Sequence, residues 1–331
     1  MDNAMTTTWT CREEDSAFFD RELAGFVPDR VLDAHCHLWP PGLLAAQVPG
    51  LPDSAGVAEY RRLIDCLHPG RRLGAIYVPY PDFGCWVDRA NDWTARQCAR
   101  DPACRGLFVV RPEDDPDWVV EQVHKLGLCG LKCYHSLAGG GNTWELDIPA
   151  YLPEPLMAAA DRQGWVVLLH LVKSRAVADE GNRHWIRNYC ETHPNMKLIL
   201  AHSARGFQPS HNLEGLPELE GLDNLYFDTS ANCEPMAHLA ILRIMGHKRL
   251  MYGSDFPVSH LRGRSVAAAD SFLWLYEDAP AWGEKHQQIP PVLIGLEHLR
   301  ALKWACWAEG LGDSEIEDIF WNNAADLFDV D

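Results

Sequence analysis

Short apolar runs alternate along this chain with stretches of helical spacing. The runs are Val31 to His35, Leu73 to Val78, Gly106 to Val110, Leu128 to Cys133, Trp165 to His170, Met196 to His202, Asn224 to Asp228 and Arg249 to Asp255. Between them, apolar residues recur with a helical period over Ala58–Cys66, Val87–Arg100, Trp118–Leu126, Pro155–Gln163, His184–Thr192 and Met236–Met245. Strands that are apolar throughout, each covered by a helix, imply a parallel sheet buried on both faces. Eight such units fit a closed α/β fold, a (β/α)8 barrel, better than an open sheet. Residues 1–30 read as an N-terminal arm with a short helix over Asp15–Ala24, and residues 31–331 as the barrel. Pro40–Pro52 is a long Pro/Gly-rich loop. An insertion at about 256–311, rich in tryptophan, is expected to hold extra helices, and Ser314–Phe328 a final one.

The polar residues fall where this pattern gives them meaning. His35, Lys132, His170, His202 and Asp255 each end a predicted strand. In a parallel barrel those ends gather on one face, where such folds place their active sites. Side chains alternate along a strand, so His35 and His37 point the same way. Imidazole is the commonest protein ligand for zinc and suits other transition metals. A His-X-His pair alone says little. Three strands ending in histidine and a fourth in aspartate are hard to explain by packing.

Composition narrows the function classes. The net charge of -18 argues against a nucleic-acid partner. No apolar run is long enough to span a membrane, and the polar N-terminus has no signal-like stretch. The expected location is therefore cytoplasmic. Eleven cysteines without a CxxC pair read as reduced core thiols, Cys36 included. The three glycines within Ala138–Asn142 lack a following Lys-Ser/Thr, so they form a flexible loop and not a phosphate loop.

Three segments resemble the amidohydrolase superfamily: Asp33-Ala34-His35-Cys36-His37-Leu38-Trp39, Ile199-Leu200-Ala201-His202 and Tyr252-Gly253-Ser254-Asp255-Phe256-Pro257. More narrowly they resemble its amidohydrolase-2 branch, related to aminocarboxymuconate-semialdehyde decarboxylase, as does the ending Trp321 to Phe328. The resemblance implies that His35, His37, His170 and Asp255 bind one divalent metal. Zinc is favoured, with manganese, iron or cobalt also suited to that donor set. It implies His202 as acid/base, or a further ligand, and Asp255 as ligand and proton acceptor. Lys132 occupies a strand where some relatives carry a carboxylated lysine; here it is read as contacting substrate. Arg205 and Arg262, with Arg264 nearby, are candidates for binding a substrate carboxylate. His135 is a further candidate at the mouth.

A metal-bound water attacks carbonyls near neutral pH. The leading expectation is accordingly a hydrolase of a C–N amide or ester/lactone bond in a small, carboxylate-bearing substrate. The alternative is a non-oxidative decarboxylase of the aminocarboxymuconate-semialdehyde/resorcylate type on the same metal site. A small-molecule substrate and no nucleic-acid or membrane partner are expected, and the resemblance implies a homodimer.

Overall fold

The computed structural model describes residues 10–43, 52–80, 86–283 and 289–331. Most of the predicted loop Pro40–Pro52 lies outside them. The strands are β1 (Arg30–Leu38), β2 (Arg72–Pro79), β3 (Cys104–Gly106), β4 (Phe108–Val110), β5 (Gly130–Cys133), β6 (Val166–Leu169), β7 (Lys197–Leu200), β8 (Leu225–Asp228) and β9 (Leu250–Met251). They pair in parallel in sequence order within two sheets, β1 to β3 and β4 to β9. β3 and β4 are one predicted strand interrupted at Leu107, whose N–H still donates to Tyr77 O at 2.9 Å. At the other seam, β1 meets the chain beyond β9. Ala34 N donates to Tyr252 O (2.9 Å), Asp255 N to His35 O (2.7 Å) and His37 N to Phe256 O (2.8 Å). The fold is the expected (β/α)8 barrel.

Helices α1 (Glu13–Glu22), α2 (Val57–Ile64), α3 (Val87–Cys98), α4 (Pro116–Leu126), α5 (Glu154–Gln163) and α6 (Glu180–Thr192) lie near their predicted positions. Local chemistry sets their ends. Asp115 caps α4 through its carboxylate, Pro116 begins it and left-handed Gly127 ends it. α6 starts four residues earlier than the apolar period suggested, because the Asp179 carboxylate accepts from Asn182 N at 3.0 Å.

Two expectations are corrected. The insertion is not wholly helical. It opens as an antiparallel hairpin, β10 (Gly263–Ala268) with β11 (Ser271–Tyr276), before the long helix Ile294–Glu309. Phe-Leu-Trp-Leu-Tyr on β11 is rich in strand-forming aromatics, and a two-residue turn joins the strands. Nor are all the cysteines reduced: Cys11 and Cys66 form a disulfide that ties the N-terminal arm to the chain after α2. The other described cysteines are free, and most are buried. Among the described residues, no helix is long and apolar enough to cross a membrane.

Candidate active site

β1 carries His35 and His37 to the rim. Its register against β2 shifts between Asp33 and Cys36, a bulge of the kind that re-aims side chains beside active sites. The two rings stand 5.0 Å apart, edge to face. Gly253 permits the close approach of the last strand: a Cβ there would lie 2.9 Å from the His35 Cβ. Behind the bulge, the buried Asp33 carboxylate accepts from Tyr60 Oη (2.7 Å), Ser254 N (2.8 Å) and His35 N (3.2 Å), joining β1 to the segment that carries Asp255.

The hydrogen bonds fix the tautomers of His35 and His202. His35 Nδ1 lies 2.9 Å from Asp228 Oδ2. A carboxylate only accepts, so Nδ1 holds the proton and the Nε2 lone pair faces Asp255 Oδ1 at 3.8 Å. Tyr134 Oη donates to Pro79 O at 3.1 Å and so presents a lone pair to His37 Nδ1 at 3.4 Å. His37 Nε2 lies 3.1 Å from the same Asp255 oxygen, a contact in which the carboxylate accepts. A divalent cation would take the place of the His37 Nε2 proton and bind His35 Nε2, His37 Nε2 and Asp255 Oδ1 together. The separations suit ligands of one ion with bonds of about 2.1 Å. Burial lowers the His35 pKa to about 4 despite Asp228, and burial lowers that of His37. For Asp255 burial acts upward, but His202 and His37 outweigh it and hold the carboxyl at about 2. Neutral imidazole and ionised carboxylate are the forms that bind metals.

His202 follows β7 in an unusual turn. His202, Ser203, Ala204 and Arg205 all have positive φ, between 54° and 57°. Each such non-glycine residue costs roughly 1–2 kcal/mol. The turn places His202 Nδ1 3.0 Å from Ser230 O. A carbonyl only accepts, so His202 is protonated at Nδ1, and its Nε2 accepts from His170 Nδ1 at 3.2 Å. Donor atoms of His35, His202 and Asp255 lie within 4.8 Å of one another. The structure thus brings His35, His37, His202 and Asp255 together, with His170 against the far side of His202. All five line one cavity of about 480 Å³ with Lys132 and His135.

Lys132 is fully buried on β5, and its Nζ has no hydrogen-bond partner among the described residues. It lies 4.8 Å from the Tyr134 ring centroid, and burial lowers its pKa.

The arginines go elsewhere. Arg262 is buried against Asp15 (Nη2–Oδ2 2.5 Å, Nη1–Oδ1 2.9 Å) and Thr10 O, so its fork is engaged by the N-terminal arm. Its reading as a substrate residue is corrected on that ground. Arg264 reaches Cys233 O and Glu297. Arg205 does not line the cavity. It donates to Lys173 O and stacks on Trp144, its Cζ 5.1 Å from the ring centroid.

Sequence reasoning passed over Asp228 and Ser230. Asp228 ends β8 just as the other site residues end their strands, and that position was the available signal. Its Oδ1 accepts from His202 N (2.9 Å), Ser230 N (3.0 Å) and Ser230 Oγ. A larger groove of about 610 Å³ between Met236 and Trp307 is almost wholly apolar and holds no such chemistry.

The amidohydrolase family profile matches residues 32–330. The chain belongs to the amidohydrolase family, in its amidohydrolase-2 branch. This amidohydrolase is 22% identical over 220 residues to a gamma-resorcylate decarboxylase of Rhodococcus jostii, a match that takes in 52% of this chain and 66% of that relative's length. The crystal structure of 5-carboxyvanillate decarboxylase from Sphingomonas paucimobilis superposes with a TM-score of 0.60 at 14% identity, over 92% of this chain and all of that one. A probable 2-pyrone-4,6-dicarboxylic acid hydrolase from Acinetobacter baumannii gives 0.58 at 16%, over 90% of this chain and 99% of that one. Other neighbours of this fold contain zinc or manganese.

Proposed function

We propose that this amidohydrolase is a metal-dependent, non-oxidative decarboxylase of small hydroxylated aromatic acids. The leading expectation from the sequence was hydrolysis; the alternative, decarboxylation, has the better support. The observation that carries it is the buried Lys132 amine, without a hydrogen-bond partner among the described residues, in a cavity whose walls include Tyr80, Tyr134 and Trp144. An uncompensated buried cation costs several kcal/mol. An anionic substrate offsets that cost, and flat aromatic walls suit a planar ring. The decarboxylase relatives point the same way.

His35, His37 and Asp255 would hold the ion, with His170 and His202 alongside. When bound, a divalent ion supplies positive charge that draws the substrate's carboxylate and neighbouring hydroxyl out of water. The remaining work belongs to the chain. Lys132 pairs with a substrate oxyanion and orients the ring. The carbon–carboxylate bond breaks, carbon dioxide leaves, and the electron pair left on the ring carbon takes up a proton. His202 is pinned at Nδ1 by Ser230, so it takes a proton from solvent at Nε2 and passes that proton to the ring carbon. Asp228 holds His35 in its ligating tautomer.

The test is incubation of metal-loaded protein with 2,6-dihydroxybenzoate and 5-carboxyvanillate in D2O. Carbon dioxide release with one deuterium on the ring carbon is expected. Lys132→Met should raise KM by about tenfold or more, the effect of losing a charge-assisted contact worth 1.5–3 kcal/mol. Turnover of 2-pyrone-4,6-dicarboxylate or simple lactones, with no carbon dioxide from either acid, would return the protein to the hydrolases.

A further inference from the structure

The Gly139–Gly141 run is followed by a short 3-10 turn, Thr143–Glu145, whose Thr143 and Trp144 line the cavity. A Cβ built on any of the three glycines meets nothing within 4 Å, so the run itself is open to solvent. The turn after it is held from several sides. Asn142 Oδ1 accepts from Trp144 N at 3.2 Å, and Thr143 Oγ1 lies 2.9 Å from His135 Nδ1. Lys173 N donates to Trp144 O at 2.8 Å, while Lys173 Nζ binds Asp147 and Asp179 at 2.6 and 3.1 Å.

Trp144 itself lines the cavity yet is 46% exposed. Its ring centroid is 4.3 Å from that of His135 and 6.1 Å from that of His170. The Arg205 guanidinium stacks on the indole and is anchored to Lys173 O at 2.5 Å. Among the described residues no carboxylate forms an ion pair with Arg205. Its described contacts are therefore the indole and the carbonyl of the residue that also binds Trp144. Arg205 sits three residues after His202, so the left-handed turn that aims the imidazole also sends this guanidinium to the tryptophan.

We propose that Trp144 is the specificity-determining roof of the site, a flat face on which the unsaturated ring of the substrate packs, and that Arg205 is the positioning residue that holds it. This rests on the cavity being the active site, as proposed above, but not on which reaction occurs there. An indole face attracts a flat π-system through dispersion and quadrupole alignment, and a puckered saturated ring of similar size gains less. A cation on the indole fixes its tilt.

The test measures binding of benzoate and cyclohexanecarboxylate to metal-loaded enzyme by calorimetry, in wild type, Trp144→Ala, Trp144→Phe, Arg205→Met and Arg205→Lys. These two acids share charge and size and differ in flatness. Wild type should favour benzoate by about tenfold, the upper end of what an aromatic pair contributes. Trp144→Ala should bring the ratio to near one, and Trp144→Phe should retain most of it. Arg205→Met should lower the ratio with the tryptophan still present, and Arg205→Lys should restore it. Circular dichroism confirms folding, since Trp144 is on an exposed turn. An unchanged ratio in Trp144→Ala, or no saturable benzoate binding to wild type, overturns the roof. An equal ratio in wild type and Arg205→Met overturns the positioning role. Selectivity through Trp144 in an enzyme that releases no carbon dioxide leaves the roof standing while the decarboxylase reading falls.

Discussion

Replacing Asp228 by Asn tests the electrostatic logic of the site without changing its shape. The carboxylate is fully buried and surrounded by donors: His35 Nδ1–H on Oδ2, and His202 N, Ser230 N and Ser230 Oγ on Oδ1. An asparagine has one accepting oxygen and one donating NH2. If the oxygen faces His35, the NH2 confronts three donors. If it faces the backbone, the NH2 confronts His35 Nδ1–H. In the second case the imidazole can escape only by moving its proton to Nε2, which removes the lone pair aimed at Asp255. Either orientation therefore weakens the metal site, and loss of a carboxylate partner of this kind costs 10–100-fold in metal affinity. The expected result is a fall of about 30-fold in zinc or manganese affinity, roughly 2 kcal/mol, by competition with a chelating dye. Far-UV circular dichroism should be unchanged. Ser230→Ala is the control, since it removes one hydroxyl and leaves the carboxylate in place; its loss should be smaller. An Asp228→Asn protein that binds metal within threefold of wild type would refute the tautomer argument.

Three further outcomes are expected. His202→Asn should keep metal content near wild type while kcat falls by about 10²–10⁴-fold, the range for a lost acid/base; unchanged turnover removes that role. Asp15→Ala strands the Arg262 charge, whose side chain is 1% exposed, and should cost about 3–5 kcal/mol in urea unfolding. Asp15→Ala combined with Arg262→Met should recover much of it with kcat/KM near wild type; additive losses would show that the pair is not coupled. The third concerns pH. Burial holds His68 at about 3, and His238 and His260 at about 4. As pH falls below about 6.5, the unfolded chain takes up protons at all three that the folded chain refuses, costing each about 1.4 kcal/mol per pH unit. Asp33, raised by burial to about 6, acts in the opposite sense below that pH and offsets one of them. The urea midpoint of metal-free protein should drop clearly between about pH 7 and pH 5; a flat midpoint contradicts this.

The barrel was legible because parallel strands buried on both faces leave uninterrupted apolar runs, several of which end in a residue that lines the cavity. His35, His37, His170, His202, Lys132 and Asp255 could all be placed that way. Asp228 ends its run in the same way and was passed over because nothing local marks a carboxylate that orients another ligand, its partner His35 lying 193 residues away. The arginines misled for a related reason. A guanidinium beside a site motif looks the same in sequence whether it faces substrate, as expected of Arg262, or a carboxylate from the far N-terminus such as Asp15. The hairpin was missed because Trp274 was counted only among the tryptophans of the insertion, and the β-propensity of Phe272, Trp274 and Tyr276 was overlooked. Which cysteines pair depends on where the arm lies, and no local pattern encodes that.

The seam between β1 and β9 gives the ion a mechanical role. β9 is only two residues long, and the join beyond it rests on the amides of Ala34, His37 and Asp255. His35 and His37 stand on one lip of that join and Asp255 on the other. An ion clasped by all three is a rivet through the edge of the barrel, so loading it should slow hydrogen exchange first at those amides, and a chelator should let the wall begin to unzip there.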